Sequence, residues 1–235
     1  MRYAVPLTAL ASVLLLSACD KRAVSTTPDP LPAAAKQGNL VAVQELLKSG
    51  VSPNAANPRG VTALHYAAQD DNTEMAKALL DAGANVEAVM EGQATPLLIA
   101  AQRNSMTVMA LLLERQANVN TQDSDGRTPL QAAAGQGLTK MADVLLGAGA
   151  NADLANARRE TALHFAAYHG HEDMVALLLA RGARTDLMMV GDLTAAQLAT
   201  QAGRTNIAER ILSVQPALAT NSPAVIEPSV PDRVP

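Results

Sequence analysis

The chain has 235 residues, with 18 Lys and Arg against 22 Asp and Glu and a formal net charge of −4. That length allows one or two domains, and the mild acidity excludes the electrostatic footprint of a nucleic-acid binder. Aromatic residues make up 2% of the chain, Trp is absent and Cys19 is the sole cysteine, so no intrachain disulfide can form and stability must come from Ala- and Leu-rich packing.

The first predicted element is not part of the fold. Met1-Arg2-Tyr3 precedes an apolar run from Ala4 to Ala18 that Pro6, Thr8, Ser12 and Ser17 interrupt. A run so short and broken does not suit a membrane span and reads as a secretory signal peptide over residues 1–18. It ends in Leu16-Ser17-Ala18-Cys19, which resembles the bacterial lipobox. That resemblance implies cleavage before Cys19 and lipidation of its thiol, and several acyl chains would anchor the product durably. Asp20 follows and resembles the enterobacterial signal for inner-membrane retention. Residues 19–28 read as the lipidated N-terminus and a polar tether, which would hold the remainder within about 35 Å of the bilayer.

From residue 29 to residue 216 the chain repeats. Thr62, Thr95, Thr128, Thr161 and Thr194 recur every 33 residues and open TALHYAA, TPLLIAA, TPLQAAA, TALHFAA and TAAQLAT. In the same phase follow Leu79-Leu80, Leu112-Leu113, Leu145-Leu146, Leu178-Leu179 and Ile211-Leu212, and then Gly83, Gly149 and Gly182. The chemistry fits a helix pair. The threonine caps a first helix, Pro96 and Pro129 occupy its first position, paired alanines allow close approach, the Leu pair fills the layer between repeats, and glycine ends a second helix in a left-handed turn. Gln116 stands where glycine is expected, so that turn should be strained. Asn85-Val86-Glu87 and Asn118-Val119-Asn120 read as strand-like. A sixth unit begins at Asp29 as an N-terminal cap, and Ala196 and Gln215-Pro216 mark the last unit as the C-terminal cap. Residues 217–235 contain four prolines and read as a disordered tail.

The period and the T-P-L-H-x-A pattern resemble the ankyrin repeat family. The resemblance implies an all-α solenoid of about six 33-residue helix-turn-helix repeats with short hairpin tips. It also implies that His65 and His164 tie loops together through backbone hydrogen bonds.

No nucleophile elbow, phosphate-binding loop or cysteine cluster is present, so neither an enzyme nor a cofactor or metal is expected. His169 and His171 lie two apart at what reads as a helix start, so they should not face each other. Asp70-Asp71 and Glu172-Asp173 read as solvated helix ends. The family uses loop tips and the exposed face of the first helix to hold protein partners. Here these are Arg59, Val61, Glu91, Arg127, Arg158 and Glu160 at the tips, and Gln69, Asp70, Gln102, Arg103, Gln136, Tyr168 and His169 on the helix face. Tyr168 is the aromatic at such a position, because Tyr66 and Phe165 fall at the packed position of Ile99 and Leu198. Two tips are unusually apolar, Val89-Met90 and Leu187-Met188-Met189-Val190, and Met188 and Met189 are candidate contacts.

The expectation is a non-catalytic, protein-binding lipoprotein of the periplasm, monomeric when free and carried on the inner membrane. Membrane-anchored periplasmic ankyrin proteins include immunity partners of secreted toxins, lipases among them, and that resemblance implies such a role. A scaffold or chaperone for an envelope enzyme, as in oxidative-stress defence, is the alternative, and sequence does not separate the two.

Overall fold

A computed structural model describes residues 29–214. Cys19, the leader, the tether and the C-terminal tail lie outside the described residues.

Twelve helices form six pairs among the described residues: α1 (Pro30–Lys36) and α2 (Leu40–Lys48), α3 (Ala63–Gln69) and α4 (Thr73–Asp81), α5 (Pro96–Arg103) and α6 (Met106–Glu114), α7 (Pro129–Gly135) and α8 (Thr139–Gly147), α9 (Ala162–His169) and α10 (Glu172–Ala180), α11 (Ala195–Gln201) and α12 (Thr205–Ser213). Each has seven to nine residues, too few to persist alone in water, so packing sustains them. The odd-numbered helices pack on one another in succession to form the inner layer, and the even-numbered ones form the outer layer.

Burial follows the repeat. Ala67, Ala68, Ala100, Ala101, Ala133, Ala134, Ala166 and Ala167 are fully buried, and their small side chains let inner helices approach. Of each leucine pair only the first member is fully enclosed (Leu79, Leu112, Leu145, Leu178), while the second is half-buried. In the cap the corresponding Leu212 is 70% exposed. The end unit therefore keeps only its inward layer, as a solenoid terminus must.

The helix ends are built as the residue types require. Thr95 Oγ1 accepts from the Leu98 N–H at 3.4 Å and Thr128 Oγ1 from the Gln131 N–H at 3.2 Å. Gly83, Gly149 and Gly182 take φ of 88°, 92° and 81° after the outer helices. Gln116 occupies the same turn at φ 64°, so the expected strain is real: an L-residue there carries a Cβ clash that glycine avoids.

Three ladders with the period of the repeat bind successive units. Side-chain oxygens of Asn54, Glu87, Asn120 and Asp153 accept from the N–H groups of Asn85, Asn118, Asn151 and Arg184 at 2.6, 2.7, 2.8 and 2.9 Å. At the tips, the N–H groups of Glu91, Ser124, Ala157 and Val190 donate to the carbonyls of Arg59, Gly92, Asp125 and Arg158 at 2.8–2.9 Å. A Cβ at Gly126 would lie 3.0 Å from the Ala157 N, so glycine permits that approach. The third ladder runs through the buried imidazoles. His65 Nδ1 accepts from the Thr62 N–H at 3.2 Å, which leaves Nε2–H to donate to the Ala94 carbonyl at 3.2 Å. His164 repeats this with Thr161 and Leu193. Gln131 does the same work, its Oε1 accepting from Thr128 N–H and its amide donating to the carbonyls of Leu154 and Glu160.

The tips corrected one expectation. Asn85–Glu87 and Asn118–Asn120 are turns, in which an asparagine carbonyl accepts from the N–H two residues on. Among the described residues, pairing is limited to isolated bridges, Ala56 with Thr62 and Met188 with Thr194, because so few residues separate consecutive turns.

Candidate protein-binding groove

The inner helices and tips leave a groove on one side of the stack. One cavity in it, about 570 Å³, is lined by Asp125, Arg127, Asn156, Ala157, Arg158, Glu160, His164, Phe165, Tyr168, His169, Met189 and Leu198. It continues past Tyr168 toward Gln201 and Arg204, and past Phe165 toward Gln102 and Gln136. A second cavity, about 360 Å³, sits nearer the N-terminus among Arg59, Val61, His65, Tyr66, Gln69, Met90, Ile99, Gln102 and Arg103.

The structure gathers Arg127, Arg158, Tyr168 and His169 at the larger cavity and Arg59, Gln69, Gln102 and Arg103 at the smaller. Tyr168 is 54% exposed at the end of α9. The His169 ring meets it edge-on at 5.1 Å. The Arg127 guanidinium lies over the Phe165 ring, 5.3 Å from its centroid, and makes no ion pair among the described residues. A cation held on an aromatic face keeps its remaining donors available to a carboxylate.

Several candidates have other duties. The Glu160 side chain is 15% exposed and accepts from Asn156 Nδ2 at 2.8 Å, so it braces its own tip and stands 3.9 Å from Arg158. Arg59 and Glu91 pair with each other at 3.0 Å on open surface, a contact of little net energy in water. Asp70 caps α3 and accepts from the Gln69 amide at 3.3 Å, while Asp71 reaches the next repeat and accepts from the Val108 N–H. Gln136 donates to the carbonyls of Gln102 and Ala132.

The apolar tip divides. Met188 and Val190 are exposed, whereas Met189 is only 7% exposed and packs beneath the tip. Asn57, Asp123 and Asn156 explain why. At those tips the Asx carbonyl accepts from the two N–H groups that follow two and four residues on. Met90 and Met189 stand at the equivalent positions and cannot do so; Met90 is half-buried, Met189 is buried, and each lines a cavity of the groove.

Two further corrections concern aromatic rings. Phe165 is half-buried and forms a wall of the larger cavity, so its packed register does not remove it from the groove. His169 and His171 do face each other, with centroids 6.0 Å apart and planes at 25°. They are not on one helix: His169 ends α9, Gly170 turns left-handed at φ 83° and His171 caps α10. His171 Nε2 meets the Gly135 carbonyl at 3.1 Å, an inter-repeat tie. Arg204, at the groove's C-terminal end, was not among the sequence candidates.

Burial holds the pKa of both repeat histidines below the ordinary 6.5, against the opposing pull of the carbonyls at Ala94 and Leu193. They are neutral struts. Among the described residues no cluster of three or more His, Cys, Asp or Glu could hold a metal, and no helix is long and apolar enough to cross a membrane.

The helix pairs, their 33-residue ladders and the groove together define a repeat architecture, and the family description "Ankyrin repeats (3 copies)" matches residues 3–90, 89–156 and 136–219. The chain belongs to the ankyrin repeat family. Comparison with curated proteins returns no match. Membership carries a protein-binding role, since ankyrin repeats are in general interaction modules without catalysis. The six ankyrin units here run from Asp29 through α12.

Proposed function

We propose that this ankyrin protein is a lipid-anchored component of the bacterial envelope that binds and neutralises a secreted toxin, such as a lipase effector, through the groove around Phe165 and Tyr168. The observation that carries partner binding is the ring of Arg127, Arg158, Tyr168 and His169 about a preformed 570 Å³ cavity. Rigid aromatic and arginine side chains on a fixed frame are what hot spots are made of. The anchor rests on Leu16-Ser17-Ala18-Cys19, and Asp20 favours the inner membrane. The protein acts by occupancy and has no reaction of its own.

The test begins with the adjoining gene. A strain lacking this chain should die on exposure to the neighbouring gene's secreted product, and wild-type chain should restore growth. A Tyr168→Ala, Arg158→Ala double variant of unchanged helical content should not restore it. Cys19→Ser should release the chain from the membrane fraction into the soluble periplasm. Survival without the chain, with a defect only under oxidants, would assign the scaffold role instead.

A further inference from the structure

The two cavities are copies of one site. Adding 99 residues, three repeats, carries Arg59 onto Arg158, Tyr66 onto Phe165, Met90 onto Met189 and Ile99 onto Leu198. The first of each pair lines the smaller cavity and the second the larger. The intervening units do not keep the pattern: the Arg position holds Gly92 and Asp125, and the Met position holds Asp123 and Asn156. The coincidence is not demanded by the fold, because those polar residues build the ordinary tip and both methionines forfeit its side-chain hydrogen bonds. Met90 and Met189 therefore give each cavity a flexible apolar floor between an aromatic wall and an arginine rim.

From this duplication we propose that the groove takes one extended segment of a partner protein carrying two anchors, each an apolar side chain beside a carboxylate, seated at the two cavities. The proposal rests on the groove being the partner-binding face. Charge selects the acidic character. Along the whole groove, from Arg59 to Arg204, the lining holds Arg59, Arg103, Arg127, Arg158 and Arg204 against the carboxylates of Asp125 and Glu160, with Glu91 paired to Arg59 at the rim, in a chain whose net charge is −4. Geometry selects the spacing. Inner helices α3, α5, α7 and α9 pack in succession, so at about 8–10 Å per neighbouring helix the two sites stand roughly 25–30 Å apart. An extended chain covers that in about eight residues at 3.3–3.6 Å each. A single repeat offers one weak anchor point, and linkage makes the second encounter intramolecular, which raises affinity without new contacts.

The test uses the full chain labelled at its methionine methyls, because Met90 and Met189 report the two sites separately. The first probe is the capped dipeptide Glu-Phe. The second is a peptide with two Glu-Phe units joined by Gly-Ser spacers of about two, seven or fourteen residues. The dipeptide should shift both methyls, and more weakly at Met90, where Arg59 is already paired with Glu91. Tyr66→Ala should abolish only the Met90 response and Phe165→Ala only the Met189 response. The linked peptide with the middle spacer should bind one to one, at least about tenfold tighter than the dipeptide, and the shortest spacer should give no gain. Response at one methyl alone, or equal affinity for linked and single peptides at every spacer, overturns the two-anchor proposal while leaving a one-site groove standing. Shifts at neither methyl overturn both the proposal and the choice of groove. Methyl shifts that depend on protein concentration without peptide, or that follow deletion of residues 215–235, would name a second copy or the chain's own end as occupant and also overturn it. Failure of the toxin-protection experiment with both methyl responses intact would reject immunity and keep the two-anchor site.

Discussion

The C-terminal and N-terminal halves of the groove share one backbone plan and differ in how freely their side chains face a partner. Around Phe165 the cavity is larger, Tyr168 stands half-exposed, and Arg127 rests on an aromatic face. Around Tyr66 the equivalent of Tyr168 is Gln69, which bonds to Asp70, and Arg59 is already paired with Glu91. The residue equivalent to Glu91 in the C-terminal half is Val190, so Arg158 meets no carboxylate from the neighbouring tip. A solenoid supplies the same slots repeatedly, and substitutions at the tips then decide which slots are open for binding.

The comparison presumes that both halves stand on one continuous core, and Leu145 between them tests that. It is fully buried, and Leu145→Ala should cost about 2–5 kcal/mol in denaturant unfolding. A curve that splits into two transitions would show that the halves are separately stable and break the comparison. An unmoved midpoint would remove Leu145 from the core.

Binding should follow the asymmetry. Tyr168→Ala should weaken partner affinity by more than about 1 kcal/mol, and Gln69→Ala at the equivalent slot by only a few tenths. Titration of the captured partner against both folded variants measures this. Equal losses would mean that the two halves contribute alike.

His65 and His164 should make stability depend on pH in the same sense in both halves. Each is neutral when folded and has a lowered pKa. The unfolded chain binds the proton first, so stability is full above about pH 6.5 and falls as pH drops through that value toward the depressed folded one. His164→Gln should keep stability near pH 7.5 within about 1 kcal/mol and flatten the fall between about pH 6.5 and 5. Gln131 already holds its ladder position with an amide. Denaturation midpoints across that range test this, and an unchanged slope would point to another group.

The smallest effect concerns the two methionine tips. Gln93 and Asp192 sit at φ 60° and 55°, where Gly60 and Gly126 serve other tips. Gln93→Gly and Asp192→Gly should each stabilise the chain by about 0.5–1 kcal/mol, the relief of left-handed strain less the entropy of glycine. Thermal unfolding would detect it, and a gain at one tip only would show that they are not built alike.

Sequence alone determined the repeat. A 33-residue period in Thr, Leu-Leu and Gly fixes helix starts, core layers and turn handedness, because each is a local demand of backbone hydrogen bonding or of positive φ. The strain at Gln116 was legible on the same ground, whereas the strut role of His65 and His164 came from the resemblance to the ankyrin repeat family. What sequence could not supply was the direction of side chains at positions where several fates are chemically open. Met188 and Met189 are adjacent and look alike, yet one faces solvent and the other lies beneath the tip. Glu160 reads as a rim charge but is half-buried and bonded to Asn156, and Phe165 reads as packing but forms a groove wall. His169 and His171 stack because a left-handed glycine folds two helices back on each other, which i, i+2 spacing within a helix would forbid. The matched spacing of the two Arg-Met-aromatic sets was present in the sequence throughout. Only the stacking of six units on one face showed that those sets line two cavities, since a cavity exists between repeats and not within any one of them.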